Sequence, residues 1–496
     1  MKIKILLFFF IFLIAVFTRA IEPFNRNPIF GFDQGREWMA ARDIVQNHKM
    51  TLIGTELGAG VAGINGIFHG PVYYYMLAVP YFLFKGDPAG SSWFMLFFGL
   101  AAILTGYFFG KKVFNFYFGV IMALFIAVSP MLIPQSRFLW SPHMVSLFIL
   151  LLFYLVYRLQ ESKPLIIFLT GFFSAFLYNF EFAITIPLIL SVTAYSIYLF
   201  RLKFKTYIYL ALGIIVAFSP MILFEIRHNF IALSGFYSYI FNHEVKTAVS
   251  GTNYFLDHLN SFLSNFAETF PLSVTLPSFI LLPLLLLSSV YVWVKETNKK
   301  RKDFLLFLVS LPFVTFFVLS FLRNTVWSYY LTHLNIAYIV LFTYLLFFFY
   351  NNKFSKIFIG LCILSSVMLV AGIYDGVNSS FYNYKDYGGS AKLKGKTEAL
   401  DYMYKDSAGK KFGLLVFSPP VYTYPYDYLA QWYGEKKYGY IPYKDKKGTV
   451  YLLIEVDSRK PWSYKGWLET VIKTGRIEKT VELPTSGFIV QKRIYE

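Results

Sequence analysis

Residues 4–19 read KILLFFFIFLIAVFTR, and residues 30–38 read FGFDQGREW. The first stretch approaches the about 20 mostly apolar residues that a membrane-crossing helix needs. The second sets Asp33 three positions before Arg36, followed by Glu37 and Trp38. It lies in a polar loop, 20–69, that separates the first apolar run from the next, 70–85. Working outward, further apolar runs fall at 91–109, 113–130, 143–158, 165–180, 182–200, 206–224, 273–294, 304–322, 328–349 and 355–374, twelve in all. The run 165–200 is too long for one span, and Asn179 and Glu181 divide it. Residues Ile5–Phe17 behind Lys2 and Lys4 have the outline of a signal peptide, but no small-residue cleavage site precedes Glu22, so an uncleaved first helix is expected.

Of the 496 residues 56% are hydrophobic and 15% charged, with mean hydropathy +0.52. Soluble chains run at about 45–50% and about 25%. A soluble globular enzyme and a disordered chain are both excluded. The single cysteine, Cys362, excludes a disulfide scaffold. Charge is uneven: residues 1–384 hold 26 Lys/Arg and 15 Asp/Glu, and residues 385–496 hold 20 and 13. The chain therefore reads as a membrane domain, 1–384, and a small water-soluble α/β domain, 385–496. The net +18 divides into +11 and +7, and the membrane share sits in short connections, where it sets topology rather than binding nucleic acid.

Three basic connections belong in the cytoplasm by the positive-inside rule: Arg201, Lys203 and Lys205; Lys295, Lys299, Lys300, Arg301 and Lys302; Lys353 and Lys356. Counting forward puts the loop 225–272 and the tail outside. Counting backward over twelve spans puts 20–69 inside, against Lys2 and Lys4. One crossing between 70 and 200 is therefore miscounted, and 11 or 13 spans are expected, with loop 20–69 external.

Nine of the fifteen acids of the membrane domain lie in the two long loops: Glu22, Asp33, Glu37, Asp43, Glu56, Glu225, Glu244, Asp257 and Glu268. A transporter places ionisable groups within its helices; here Glu181 is the main such acid. Chemistry at the membrane surface is expected instead. Residues 36–47 form an amphipathic helix pattern, with Asp33 and Arg36 on one face. The plain alternative is that Asp33 caps this helix and pairs with Arg36 to little energetic effect. The loop ends NGIFHGPVYYY at 65–75, where His69 is open to a metal, a phosphate or an ordinary hydrogen bond.

The layout resembles the class C membrane glycosyltransferases. The nearest group is glycosyltransferase family 39, the dolichyl-phosphate-mannose–protein mannosyltransferase relatives, and the lipid A aminoarabinose transferases are more distant. The residues that carry the resemblance are Asp33–Arg36, His69–Tyr73, Gln135–Pro142 with Trp140, Phe224–Phe230, Tyr329–Tyr330, Asp386–Gly389 and Tyr428–Gly434. It implies an all-α polytopic domain in the plasma membrane with an external C-terminal α/β domain. It implies transfer of a sugar from a polyprenyl phosphate in the lipid bilayer to a hydroxyl of a protein, lipid or cell-envelope glycan. Asp33 matches the catalytic acid and would be the base. Arg36 would face phosphate, with His69, Arg137, Arg227 and His228 as further phosphate contacts. Glu225, Tyr73 and Trp140 would support the site. Many relatives carry a second acid directly after the first; Gln34 stands there, and Glu37 is the available substitute. The loops hold no tight His/Cys/Asp cluster, so dependence on a divalent cation such as magnesium or manganese is left open.

In the tail, 391–405 and 461–473 read as helices, 412–417 and 450–456 as buried strands, and 475–483 with 487–494 as a hairpin. The aromatic residues of 422–443 suit either sugar rings or packing against the membrane domain. A transporter or flippase of lipid-linked glycans and a non-catalytic envelope-assembly scaffold are the competing readings.

Overall fold

The computed structural model describes residues 2–57, 66–201, 203–241, 254–271, 278–321, 325–385, 389–419 and 422–496. Glu244 and Asp386–Gly388 lie outside the described residues. Eight helices are long and apolar enough to cross a membrane: Gly90–Val113, Ser141–Glu161, Phe182–Phe200, Phe204–Arg227, Ser278–Lys295, Lys299–Leu319, Ser328–Asn351 and Ser355–Lys385. Shorter apolar helices lie at Leu6–Arg19, Val72–Leu83, Phe116–Val128 and Pro164–Asn179. The helix Ser328–Asn351 is the pillar of the bundle, buried on every side from Leu331 to Leu346.

The expected span at 70–85 is a misreading. Its helix, Val72–Leu83, is 12 residues long, one fewer than Phe116–Val128, so its contacts rather than its length decide its placement. Both of its ends meet the loop helix Phe32–Asn47: Tyr73 Oη donates to Glu37 at 2.6 Å, and Trp38 Nε1 donates to the Gly86 carbonyl at 2.9 Å. Arg26, just past the first helix, pairs with Asp87 just past this one. The segment thus lies flat against the loop helix and returns to the side it left.

Eleven apolar helices remain among the described residues as candidates to cross, eight of them long enough by themselves, and their connections sort by charge. On one side Glu161 meets Lys300 at 3.5 Å, and Arg301 lies over Phe114 and Phe347. On the other, Met131 N donates to the Glu268 carbonyl at 3.0 Å and Gly70 N to that of Tyr178 at 3.3 Å. The three basic connections fall on the first side, with Lys111, Lys112, Arg158 and Lys163. Loop 20–69, helices Ile231–Phe241 and Tyr254–Thr269, and the tail fall on the second.

Two buried arginines bind the bundle together on that second side. Arg19 donates to the carbonyls of Ile126 and Ala127 at 3.0 and 2.7 Å and to Ser136 Oγ at 3.0 Å. Arg137 donates to Thr18 O at 2.7 Å and to the hydroxyls of Ser379 and Ser380 at 3.1 and 2.6 Å. First helix, last helix and the break between Val128 and Ser141 are thereby joined where carbonyls lack helical partners.

The last crossing helix ends at Lys385, and the helix Leu393–Asp406 opens the tail. Its sheet contains β1 (Gly413–Phe417), β2 (Gly448–Ile454), β3 (Arg476–Glu482) and β4 (Ile489–Tyr495) in the order β1-β2-β4-β3. The β1–β2 pair is parallel, Leu415 opposite Leu452, and the other pairs are antiparallel. Between β1 and β2 the aromatic segment docks on the loop helix. Pro425 seats on Gly35, where an added Cβ would stand 2.5 Å from Pro425 N. Tyr428 Oη donates to the Gly86 carbonyl, and Trp432 Nε1 to that of Lys85 at 3.1 Å.

Gly35→Val should therefore part the tail from the loop helix at a cost of about 1–3 kcal/mol. Limited proteolysis between residues 386 and 425 should quicken and the thermal midpoint should fall; an unchanged digestion pattern would remove the proposed seat.

Candidate active site

The loop helix begins earlier than its amphipathic pattern, at Phe32, because Gly31 and Gln34 close its first turn. Gln34 Oε1 accepts from Gly31 N at 2.9 Å, and Gln34 Nε2 donates to the Leu139 carbonyl at 2.7 Å. Asp33 is thus not the cap; it stands within the first turn with its carboxylate partly open. Gln34, where an acid was sought, is 3% exposed and anchors the helix to the 129–140 segment.

Arg36 lies between two carboxylates. Its Nη2 donates to Asp33 Oδ1 at 2.6 Å and stands 3.8 Å from Glu37 Oε1. The helical spacing places Asp33 and Glu37 one turn apart on one face, with the guanidinium between them. Arg36 also lies over the Phe32 ring, 5.1 Å from its centroid, and its buried Nε has no hydrogen-bond partner among the described residues. Glu37 is 1% exposed, and burial pushes its pKa up to about 8 against the pull of Arg36. At neutral pH Glu37 is mostly protonated, so the site carries one carboxylate, Asp33, and one full positive charge.

His69 reaches the same cluster. Its Nδ1 is 3.3 Å from the Tyr178 carbonyl, an acceptor only, so Nδ1 carries the proton and Nε2 keeps its lone pair. Burial, with the nearby Arg36, pushes its pKa down to about 4. It is neutral at pH 7 and offers a phosphate no charge. Asn179 Oδ1 accepts from Val72 N at 3.1 Å, fixing the start of the flat helix beneath Glu37.

The other expected residues divide. Trp140 stacks edge-on against Tyr329 at 4.3 Å, and Tyr329 feels the charges of both Glu181 and Asp33, so Trp140 belongs to the rim. Arg137 is 6% exposed with its donors spent on Thr18, Ser379 and Ser380 and with Glu22 at 3.7 Å; it is a bracket and not a phosphate ligand beside Asp33. Glu225 accepts from Ala232 N and Leu233 N at 3.1 and 3.0 Å, which seats the helix Ile231–Phe241. His228 stacks on Phe224 at 4.1 Å, and Phe224 meets Phe68 next to His69 at 5.5 Å. Arg227 and His228 are exposed at this outer edge. Tyr73 is the hydroxyl that supports Glu37.

Two sets of contacts near this cluster have no local sequence signal, one made by Glu181 and one by Phe32 with Tyr422 and Tyr424. Glu181 is 3% exposed and accepts from Ala183 N at 3.0 Å, and it reaches the site only through Tyr329. Phe32, Tyr422 and Tyr424 meet across most of the length of the chain. No group of three or more His, Cys, Asp or Glu suited to a metal ion occurs among the described residues. Arg36 already fills the space between the two carboxylates a divalent cation would bridge, so this pair does not fit a resident metal.

No protein-family model matches the chain, and no curated protein matches it in sequence. Solved structures do match. The crystal structure of ArnT from Cupriavidus metallidurans bound to undecaprenyl phosphate is 12% identical, with a TM-score of 0.57 over 99% of this chain and 98% of that one. The same protein in the apo state is 13% identical, with a TM-score of 0.58 over 98% and 97%. At such identity the likeness stands at the level of architecture: the chain has the class C membrane glycosyltransferase fold, a multi-pass helical bundle with a small sheet domain at its C-terminal end.

Proposed function

We propose that the chain is an integral-membrane glycosyltransferase. It moves a sugar from a polyprenyl-phosphate donor to a hydroxyl of a protein, lipid or cell-envelope glycan, on the external face of the plasma membrane, with Asp33 as base. The observation that carries this reading is Arg36: a guanidinium held by Asp33 at 2.6 Å, next to a protonated Glu37, with its side chain partly open to solvent. Such a donor suits a phosphate oxygen. The shared fold with a protein that binds undecaprenyl phosphate supports the donor class. The sorting of basic connections to the opposite side supports an external site.

In this reading the acceptor hydroxyl gives its proton to Asp33 as its oxygen attacks the anomeric carbon. The bond from that carbon to the phosphate oxygen breaks with inversion, and the lipid phosphate leaves with the electron pair, its charge met by Arg36. Glu37 and Tyr73 hold Arg36 in place. No step is routed through a metal.

Asp33→Asn should lower turnover by about 100-fold or more, while polyprenyl-phosphate binding persists because Arg36 keeps its charge. The check is transfer from a panel of polyprenyl-phosphate sugars by purified protein, beside direct lipid binding. Full activity in the variant would remove Asp33 as base, and no transfer by the wild type across the panel would remove the enzyme reading.

Glu37 generates a pH dependence. Its folded pKa of about 8 lies above the ordinary value of 4.5, so the folded state holds the extra proton, and stability falls as pH rises from 4.5 to about 8. Above about 8 the second negative charge beside Arg36 should weaken donor phosphate binding. KM for the donor should rise between pH 7 and 9 in the wild type and stay flat in Glu37→Gln; parallel profiles would show that Glu37 does not tune the site.

A further inference from the structure

The aromatic segment of the tail carries eight tyrosines between 422 and 443. Six of them spend their hydroxyls inside the protein: Tyr426 on Glu455, Tyr428 on Gly86, Tyr433 and Tyr438 on Asp401, Tyr440 on Lys410 and Tyr443 on Lys447. These are accounted for by packing. The hydroxyls of Tyr422 and Tyr424 have no protein partner among the described residues, and these are the two whose rings meet Phe32, the residue before Asp33.

Their geometry is a surface rather than a core. The two rings are parallel within 3° with centroids 5.6 Å apart. Each stands 5.4 Å from the Phe32 ring. Phe32 precedes Asp33 in the chain and carries the Arg36 guanidinium over its ring. Tyr422 is 47% exposed, and Phe32 and Tyr424 are half-buried. Pro425, seated on Gly35, fixes the position of Tyr424.

We propose that Phe32, Tyr422 and Tyr424 form a platform that binds a pyranose ring of the acceptor, so that the receiving hydroxyl belongs to a saccharide. This rests on the glycosyltransferase reading above. The apolar C–H face of a pyranose stacks on an aromatic ring, while its rim of hydroxyls needs polar partners. Two tyrosines with available hydroxyls supply both. The Phe32 ring lies under the Arg36 guanidinium that pairs with Asp33, so in this proposal a saccharide seated on the platform extends towards the Asp33 carboxylate. The tail thereby completes the acceptor side of a site whose donor side belongs to the membrane domain.

The test is saturation-transfer NMR on the full chain in detergent, with methyl pyranosides and β-linked disaccharides as probes. Tyr424→Ala and Tyr422→Ala should each weaken saccharide binding about tenfold. Tyr424→Phe should retain ring stacking and stay within about threefold of wild type. Asp33→Asn should bind saccharides normally and transfer nothing. Proteolysis of the tail reports whether Tyr424→Ala undocks it; if so, the exposed Tyr422 decides. Wild-type binding in the alanine variants, or no saccharide signal at all, overturns the platform. Transfer to a hydroxyl of a peptide or lipid without saccharide binding overturns the platform and leaves the glycosyltransferase standing. Saccharide binding lost in the alanine variants, but without transfer from any donor, supports the platform and removes the reading beneath it.

Discussion

The loop helix Phe32–Asn47 can exist only under cover. It buries Gln34, Glu37 and Trp38 to 3% or less, and each buried polar group requires a partner. The flat helix Val72–Leu83 and the turn after it supply Tyr73 for Glu37 and the Gly86 carbonyl for Trp38. The segment before Ser141 supplies the Leu139 carbonyl for Gln34. The tail closes the remaining side through Pro425 on Gly35. Asp33 and Arg36 are held in one geometry because their helix is clamped on three sides, so distant elements of the chain bear on one carboxylate.

The same clamp shapes the electrostatics. Burial leaves Glu37 mostly protonated and His69 neutral at pH 7, which isolates Asp33 and Arg36 as the charged pair. Arg36 exchanges solvent for the Asp33 carboxylate, the Glu37 carboxyl and an aromatic face, and its buried Nε has no hydrogen-bond partner among the described residues. Arg137 shows the opposite outcome. It carries the same charge on the same side of the bundle, but its donors are consumed by carbonyl and hydroxyl oxygens of the first and last helices.

Much of the bundle was legible in the residues. Among the described residues each apolar run lies largely on a helix, and the tail patterns at 391–405, 412–417, 450–456, 475–483 and 487–494 match a helix and four strands. The segment 70–85 was misread because hydropathy records how apolar a helix is and not which way it points. Its tyrosines and Pro80 were the available signs of an interfacial helix. Asp33–Arg36 was visible from spacing. Glu181 and the Phe32–Tyr422–Tyr424 contact were not, since neither has a local pattern.

The sequence by itself determined the membrane habit, the division into a sparse and a charged region, and the gathering of acids into two loops, because these follow from composition and short-range periodicity. Tertiary structure alone decided that the segment 70–85 begins and ends against the loop helix, that Arg36 pairs with Asp33 while Arg137 braces the bundle, and that two tail tyrosines meet Phe32. Those outcomes depend on which donors and carbonyls meet across hundreds of residues, and partnership at that range is written in the packing rather than in any local stretch of chain.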